Sequence, residues 1–348
     1  MAVTTNRETW EFHAHPLMAN GHLQTVLGIQ WPRRYSHDPG TSHFVPVSDG
    51  DQIVLHENAS ATLDKSLPIV LMIHGLGGCH MSTYMRRMVE HLIVRGYRSF
   101  RMDMRGCGAG DVVAQRPTHC GRWQDVLAAM NHIAELYPDC DTQIVGFSMG
   151  GTLVLNMLAE MGSMPVGNLQ RSLIISPPID LANVERSFRK GMGRRYDKFF
   201  VKLLWKQNVQ RWQLHPEAAP SEIPRPPRRL RELDEIVTAP TGGFRSAADY
   251  YEQSSPGPKL STISQPATIF TSEDDPVVPV DSLLESSVSD STEVITTSHG
   301  GHLGFLSGQN GDPDFRWLDW RILDWLGESN QLSDAEESRQ ADCVSVSR

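Results

Sequence analysis

The sequence predicts an α/β fold in which a mostly parallel central sheet carries helices on both faces. Strand-length apolar segments alternate with helix-length segments from residue 69 to residue 176, and this alternation is typical of parallel strands joined by helices. A Gly-Phe-Ser-Met-Gly turn at 146–150 stands between one such strand and the next helix. The alternation stops between 178 and 262, which predicts a helical insertion between two strands.

The elements follow one another in a regular order. Residues 43–58 have the pattern of a hairpin that turns at Asp49-Gly50, a pair favoured in the two-residue type I′ turn. Strands are then expected at 69–74, 98–104, 142–147, 171–176, 266–271 and 292–297, and helices near 82–95, 122–137, 150–161 and 315–326. The helix near 122–137 has the clearest helical spacing of apolar residues. We expect an α/β core at 43–177 and 263–327, an irregular N-terminal extension at 1–42, a cap or lid at 178–262 and a disordered tail at 328–348.

The insertion at 178–262 combines apolar and basic residues. Its apolar stripe consists of Leu181, Val184, Phe188, Met192, Phe199 and Leu203. Basic residues fill the rest of 186–206, and a segment rich in proline and arginine follows at 216–231. Such a stripe most often packs inside a protein. We therefore predict that residues 178–262 form a lid over the ligand-binding site of the sheet. Contact of 186–206 with a membrane surface is the alternative, because a basic amphipathic helix can lie on anionic lipid.

Composition excludes several classes of protein. The chain has 348 residues, of which 39% are hydrophobic and 21% charged, as in ordinary soluble globular proteins. A formal net charge of −9 argues against nucleic-acid partners. Five cysteines without a CxxC pair favour free thiols in a reducing cytoplasm. The sequence has neither a signal-peptide pattern nor a long apolar run, so we expect a soluble cytoplasmic protein without a transmembrane helix.

Ser148 is the candidate nucleophile, because it is the central residue of the 146–150 turn. The strand, G-x-S-x-G, helix context is that of a nucleophile elbow, which holds a serine side chain out at the carboxyl end of a sheet. A serine hydroxyl is a weak nucleophile, so it needs a base within hydrogen-bond reach and an acid that orients the base. The sequence offers both downstream, each just past a strand end.

The acid and the base each have competing candidates. Glu273, Asp274 and Asp275 form an acidic cluster after the strand at 266–271, and the spacing favours Asp275, which directly precedes a proline, with Asp274 as the main alternative. His299 and His302 follow the strand at 292–297. The two glycines between these histidines can aim either ring, so the residues alone leave both open.

Backbone N–H groups are the expected oxyanion donors. A glycine-rich segment at 74–78 follows an apolar strand, and the N–H of Leu76 can point into the site. The second donor is the N–H of Met149, the residue after the nucleophile. His74 is expected to be a buried residue that shapes this loop. We expect Asp103 and Arg105 to form a structural ion pair or to anchor a loop, and His22, His80 and His119 to have ordinary surface roles.

Five segments together resemble the α/β-hydrolase superfamily: HGLGG at 74–78, MDMRGCGAG at 102–110, GFSMGG at 146–151, DDPVVP at 274–279 and HGGHLGF at 299–305. Two further segments are similar to the AB hydrolase 4 family, which contains bacterial YheT-like esterases. One is GHLQT at 21–25. The other combines Thr238-Ala239-Pro240, Gly243-Phe244, Ala247 and Asp249-Tyr250-Tyr251. The resemblance covers about residues 10–327.

The resemblance implies a triad of Ser148, Asp275 and His302, with no cofactor. No metal is expected either, because the histidines lack a ligand spacing. The predicted function is a serine carboxylesterase or lipase-like hydrolase acting on small esters or acyl lipids, with a role in lipid metabolism. The alternatives are an acyltransferase or thioesterase with the same triad, or a non-catalytic module that binds lipid or a membrane. The sequence leaves the acyl chain, the alcohol group and the oligomeric state open.

Overall fold

The computed structural model describes residues 10–30, 40–308 and 311–328. Eight strands form one sheet in the order β1-β2-β4-β3-β5-β6-β7-β8. The strands are β1 (Thr41–Pro46), β2 (Gln52–Ala59), β3 (Ile69–Ile73), β4 (Arg98–Asp103), β5 (Thr142–Phe147), β6 (Leu169–Ile175), β7 (Ala267–Ser272) and β8 (Thr292–Thr297). Strand β2 pairs antiparallel with β1 and β4, and the remaining pairs are parallel. The predicted α/β fold class is therefore confirmed.

Helices connect these strands. They are α1 (Gly21–Gln30), α2 (Thr83–Val94), α3 (Gly110–Val113), α4 (Trp123–Leu136), α5 (Met149–Met161), α6 (Leu181–Ser187), α7 (Gly193–Leu214), α8 (Leu230–Leu233), α9 (Ala239–Gly242), α10 (Ala247–Ser254) and α11 (Asp281–Leu284). A last helix, α12, spans 317–328. No helix in the described ranges is both long and apolar enough to cross a bilayer. The predicted tail at 328–348 lies outside the described residues, apart from residue 328.

The core has one layer on each face of the sheet. Along β3, Ile69, Leu71 and Ile73 pack with α4 and α5, whereas Val70 and Met72 pack with α2 and α12. Side chains alternate between faces along a strand, so a continuous apolar strand such as β3 serves both layers. Burial on both faces explains why these strands show continuous apolar runs.

The hairpin is confirmed, but its predicted type I′ turn is wrong. Pro46 pairs with Gln52, so five residues connect β1 to β2. Only Gly50 has a positive φ in this loop, at 87°, whereas a type I′ turn needs two such residues. The Asp49 carboxylate accepts hydrogen bonds from Arg105 and Arg122, and these tertiary contacts accompany the longer loop.

The expectation of an irregular N-terminal segment is wrong for residues 21–30, which form α1, whereas residues 11–20 contain no helix or strand. Trp10 and Phe12 are buried in the core layer that holds α12. Short helices depend on tertiary contacts. Here Gln24 donates to the carbonyl oxygens of Met18 and Leu306 and accepts from the N–H of Leu306. A local sequence pattern does not contain these contacts.

The segment between β6 and β7 is helical, as predicted, but its apolar residues do not form one stripe. Helices α6 and α7 are separated by residues 188–192, where Gly191 has a φ of 49°. This break changes the helical phase. Phe188 is buried, whereas Phe199 is 60% exposed and Met192 40% exposed. The expectation that Phe199 and Met192 face a pocket or core is therefore wrong.

Candidate active site

The 146–150 turn forms a sharp elbow between β5 and α5. Ser148 has a φ of 50° and a ψ of −119°, an unfavourable conformation for a non-glycine residue. A Cβ at Gly146 would lie 2.8 Å from the Gly151 Cα, and one at Gly150 would lie 2.5 Å from the carbonyl oxygen of Ile73. Only glycine fits at these two positions, so the pattern of the turn is a packing requirement.

The structure brings Ser148, His302 and Asp275 together in one hydrogen-bonded chain. The Ser148 Oγ lies 2.9 Å from His302 Nε2, and His302 Nδ1 lies 2.8 Å from Asp275 Oδ2. Asp275 Oδ1 accepts from the N–H groups of Val277 and Val278 at 2.8 and 2.9 Å. The side chains of Ser148, His302 and Asp275 are all buried. The carboxylate is thus held by three donors and can orient the imidazole.

Asp274 and His299, the alternative candidates for the acid and the base, take no part in this series of hydrogen bonds. His299 is exposed, and its Nδ1 lies 3.4 Å from Asp274 Oδ2. Asp274 Oδ1 accepts instead from the N–H of Gly301 at 2.8 Å. Asp274 therefore supports the loop that carries His302, without contact with the imidazole of His302.

Helix α1 supports the same loop from the other side. The N–H of His302 donates to Thr25 Oγ1 at 2.8 Å, and Thr25 donates to the carbonyl oxygen of Gly21. A Cβ at Gly301 would lie 2.3 Å from the carbonyl oxygen of Gly21. The GHLQT segment at 21–25, which resembles a family motif, therefore makes contacts that position the loop carrying His302. His22, expected on the surface, stacks on Tyr196 and lies within hydrogen-bond distance of its hydroxyl.

The glycine-rich segment at 74–78 lies directly beside Ser148. A Cβ at Gly75 would lie 3.2 Å from the Ser148 Cβ, and Leu76 and Met149 line the cavity next to Ser148. His74 is fully buried, as expected. Its Nδ1 donates to the carbonyl oxygen of Gly75 at 2.8 Å and its Nε2 accepts from the N–H of Met104. Burial lowers the pKa of His74, so the neutral ring is the form that holds this loop.

Asp103 and Arg105 do not form an ion pair with each other, and each anchors a loop instead, which is the second of the two expected roles. Asp103 accepts from His56 Nε2 and His80 Nδ1, at 3.0 and 2.6 Å, and from the N–H of His80. Arg105 binds Asp49, Asp51 and Asp125 instead. His80 is buried, so its predicted surface role is wrong. The cluster fixes the end of the 74–80 loop to β2 and β4.

Among the described residues, His56, His80 and Asp103 are the group whose ligand atoms lie close enough to share a metal ion, within 4.8 Å of one another. The two imidazole rings stack with centroids 3.6 Å apart, and both aim at one carboxylate oxygen. Asp103 Oδ2 also accepts from the N–H of Ala109. The hydrogen bonds of the cluster therefore account for its geometry.

A cavity opens beside Ser148 under the inserted helices. Its volume is about 120 Å³. Its apolar walls come from Leu181, Val184, Phe188, Phe200, Leu204, Val277 and Val278. Phe188 and Phe200 stack with centroids 5.9 Å apart. This wall has the composition of a site for an apolar chain.

One cavity wall is a π-helical turn at Asp234–Thr238, which leads into the Thr238-Ala239-Pro240 motif. Pro240 has no N–H to donate to the preceding turn, which favours a local departure from α-helical bonding. The turn presents Asp234 to the cavity. Thr238 and Tyr251 hydroxyls donate to its carboxylate, and burial raises the pKa of Asp234 to about 6.

His119, also expected on the surface, is buried against Phe244.

Comparison with known proteins agrees with this architecture. The family model described as "alpha/beta hydrolase fold" matches residues 68–309. The chain belongs to the α/β hydrolase fold family. Relatives of the chain have names of the esterase and lipase type. The resemblance inferred from the sequence motifs is confirmed.

Two curated relatives illustrate the similarity. The chain is 31% identical over 316 residues to the Escherichia coli (strain K12) protein named "Putative esterase YheT", with 88% of this chain and 90% of that protein covered. It is 26% identical over 275 residues to the human protein named "Phospholipase ABHD3", with 77% of this chain and 67% of that protein covered.

Solved structures share the fold at low sequence identity. The esterase Pf2001 of Pyrococcus furiosus matches with a TM-score of 0.51 and 18% identity, covering 86% of this chain and 96% of that chain. Est1E of Butyrivibrio proteoclasticus, solved with ferulic acid, matches with a TM-score of 0.52 and 16% identity, covering 82% of this chain and 98% of that chain. These matches establish the fold.

Proposed function

We propose that the chain is a serine hydrolase that cleaves carboxylic esters through an acyl-enzyme intermediate. The observation that carries this proposal is the hydrogen-bonded chain from Ser148 through His302 to Asp275, with contacts of 2.9 and 2.8 Å. In it, Ser148 is the nucleophile, His302 the base and Asp275 the orienting acid. This arrangement can activate a hydroxyl at neutral pH because the imidazole accepts the proton as the carbonyl is attacked.

The two half-reactions use the same imidazole. Ser148 Oγ attacks the ester carbonyl carbon and His302 Nε2 takes the hydroxyl proton. The resulting tetrahedral intermediate then collapses: the bond to the alcohol oxygen breaks, the protonated ring gives its proton to that oxygen, and the acyl group remains on Ser148. His302 next deprotonates a water that attacks the acyl-enzyme, and the carboxylic acid leaves as Ser148 recovers its proton.

Backbone donors stabilise the negative charge on the carbonyl oxygen. We assign this role to the N–H groups of Leu76 and Met149, because both residues line the cavity beside Ser148. Met149 is also the first residue of α5, where the unpaired N–H groups of a helix favour an anion. Donors that are fixed before the reaction begins are worth several kcal/mol to such a transition state.

The substrate class follows from the cavity. Its walls are largely apolar and come from the inserted helices, which supports the interpretation of 178–262 as a lid that binds the acyl chain. The names of the relatives, which include an esterase and a phospholipase, are consistent with an ester or acyl-lipid substrate.

A fluorophosphonate probe and an ester panel test the proposal together. We expect the probe to label Ser148, the purified protein to cleave p-nitrophenyl or glyceryl esters, and Ser148→Ala to lose both properties. Ser176→Ala is the matched control, because Ser176 is also buried with a positive φ, 47°, after the neighbouring strand. Wild-type labelling of Ser148→Ala would contradict the proposal.

An acyltransferase or thioesterase would use the same groups, with an alcohol as acceptor or a thiol as leaving group. Adding glycerol to the ester assay separates the first case, because transfer yields a new ester in place of the free acid. Thioesters of matched acyl length separate the second. A protein that binds acyl lipids yet shows neither labelling nor turnover would be a non-catalytic module.

The outer face of α7 supports a second proposal, peripheral contact with an anionic membrane. Phe199 is 60% exposed on this face, and exposed lysines stand at 198, 202 and 206 along the same helix. We expect binding to phosphatidylserine vesicles that weakens as salt rises. Reversing the charge of the three lysines should abolish it, whereas Lys65→Glu, an exposed lysine elsewhere, should not. Salt-independent binding would contradict this proposal.

A further inference from the structure

One wall of the cavity contains a buried cation. Arg211, on α7, is 2% exposed and lines the same cavity as Ser148. Among the described residues, no carboxylate forms a side-chain hydrogen bond with its guanidinium, and its Nε has no hydrogen-bond partner. Burial lowers the pKa of Arg211 to about 10. Burying a cation without an ion-paired carboxylate costs free energy, which suggests that the cation has a function in the cavity.

The guanidinium is held in place by a neutral side chain. Its Nη2 donates to Asn208 Oδ1, and Asn208 in turn donates to the carbonyl oxygen of Leu204. Asn208 is buried and also lines the cavity. Two polar groups one helical turn apart therefore form a fixed pair within a largely apolar wall.

The nearby carboxylates do not complete this pair. Glu185 and Asp234 also line the cavity, but Glu185 binds Arg189, and Asp234 accepts from Thr238 and Tyr251. Asp111 is the nearest source of negative charge, yet it forms no ion pair with Arg211 and its Oδ1 has no hydrogen-bond partner. Arg211 therefore lines the cavity without an ion-paired carboxylate among the described residues.

We propose that Arg211 binds an anionic group, a carboxylate or a phosphate, of the ester that Ser148 attacks. The inference rests on the proposed function and adds the substrate class to it. A guanidinium forms two parallel hydrogen bonds to either group, and such charge-assisted bonds are strongest where water is excluded. The apolar wall would bind the chain between the ester and the anion.

Matched ester pairs test the proposal on the acyl side and on the alcohol side. The acyl pair is p-nitrophenyl octanoate and the p-nitrophenyl monoester of suberic acid, which differ by a terminal carboxylate. The alcohol pair is monobutyrylglycerol and its phosphate monoester. The readout is the ratio of kcat/KM for the anionic ester to that for the neutral one. We expect the wild type to favour the anionic ester in at least one pair.

Substitution of Arg211 should remove that preference. Charge-assisted hydrogen bonds of this kind correspond to about a 10–100-fold effect, so Arg211→Met should lower the ratio by that factor. Arg225→Met, an exposed arginine in the same insertion, should leave the ratio unchanged. Should Arg211→Met fail to fold, Asn208→Leu is the second variant. It keeps the Arg211 guanidinium but removes the side chain that accepts its hydrogen bond, and the ratio should again fall.

Two outcomes would overturn the inference: a wild type that favours the neutral ester in both pairs, or variants with unaltered ratios. A purely structural role against Asp111 predicts that Asp111→Asn restores the melting temperature of Arg211→Met with no change in ratio. Fluorophosphonate labelling of Ser148 in the wild type separates the two proposals. Labelling with no anionic preference refutes only the role of Arg211, whereas absent labelling and turnover refute the hydrolase itself.

Discussion

Thr25 accepts a hydrogen bond of 2.8 Å from the backbone N–H of His302, although 277 positions separate the two residues. The contact joins the first described helix to the loop that carries the candidate base. Because the bond is to the backbone, it sets the position of the loop and through it the direction of the imidazole. Thr25 is therefore a positioning residue, and its effect should appear in the rate of the chemical step.

Removing the Thr25 hydroxyl should slow catalysis without weakening substrate binding. We expect Thr25→Val to lower kcat by about 10–100-fold, because small displacements of a catalytic group are this costly, with KM changed less than threefold. Thr25→Ser keeps the acceptor and should retain most of the activity. The measurement is steady-state kinetics on one p-nitrophenyl ester with thermal melts alongside. Equal activities of the valine and serine variants would argue against the role.

The two neighbouring aspartates should differ sharply in their effect on kcat. Asp275→Asn removes the acid that orients His302, and loss of this acid in such triads costs about 10⁴-fold. Asp274→Asn should cost less than tenfold, because an asparagine oxygen can still accept from the N–H of Gly301. Comparable losses in the two variants would show that the acid has been assigned to the wrong carboxylate.

Residues on the two faces of α7 should affect acyl-chain preference differently. Phe200 and Leu204 line the cavity, whereas Phe199 is exposed. Phe200→Ala or Leu204→Ala should shift kcat/KM toward longer acyl esters, since each extra methylene accommodated is worth about 0.8 kcal/mol, or roughly fourfold. Phe199→Ala is the matched control and should leave the profile of soluble esters unchanged. Identical profiles for all three variants would exclude α7 as a specificity wall.

Asp234 should make stability depend on pH. Its pKa is raised from 3.8 to about 6 in the folded protein, so the folded state keeps a proton that the unfolded state loses. The resulting stabilisation is fully present below about pH 4 and is lost as pH rises through 6. Asp234→Asn removes this dependence. Its free energy of unfolding relative to wild type should therefore rise by roughly 1 kcal/mol between pH 5 and pH 7.5.

Denaturant melts at the two pH values measure this difference. Glu252→Gln, an exposed carboxyl on α10, is the control and should give the same difference from wild type at both. An Asp234→Asn variant whose relative stability is equal at pH 5 and pH 7.5 would show that the carboxyl is not protonated on folding.

Sequence patterns alone predicted the strands, four of the twelve helices described and the order of the chemical groups along the chain. These features follow from short-range rules. Apolar runs mark strands buried on both faces, helical spacing marks α4, and the two glycines around Ser148 are dictated by contacts of less than 3 Å at the elbow. The positions of the acidic cluster and the two histidines after strand ends could be predicted for the same reason.

Contacts in the folded protein establish which of those groups lie within hydrogen-bond distance of one another and which face of each element is buried. The choice between His299 and His302 depends on the 299–305 loop, which residues of α1 hold from the far end of the chain. The inner face of α7 depends on the break before Gly193, which shifts the helical phase and turns Phe199 outward. The position of Arg211 in the cavity beside Ser148 depends on how α7 packs against the rest of the fold. Contacts between residues distant in sequence leave no local periodicity, so only the folded chain reveals them.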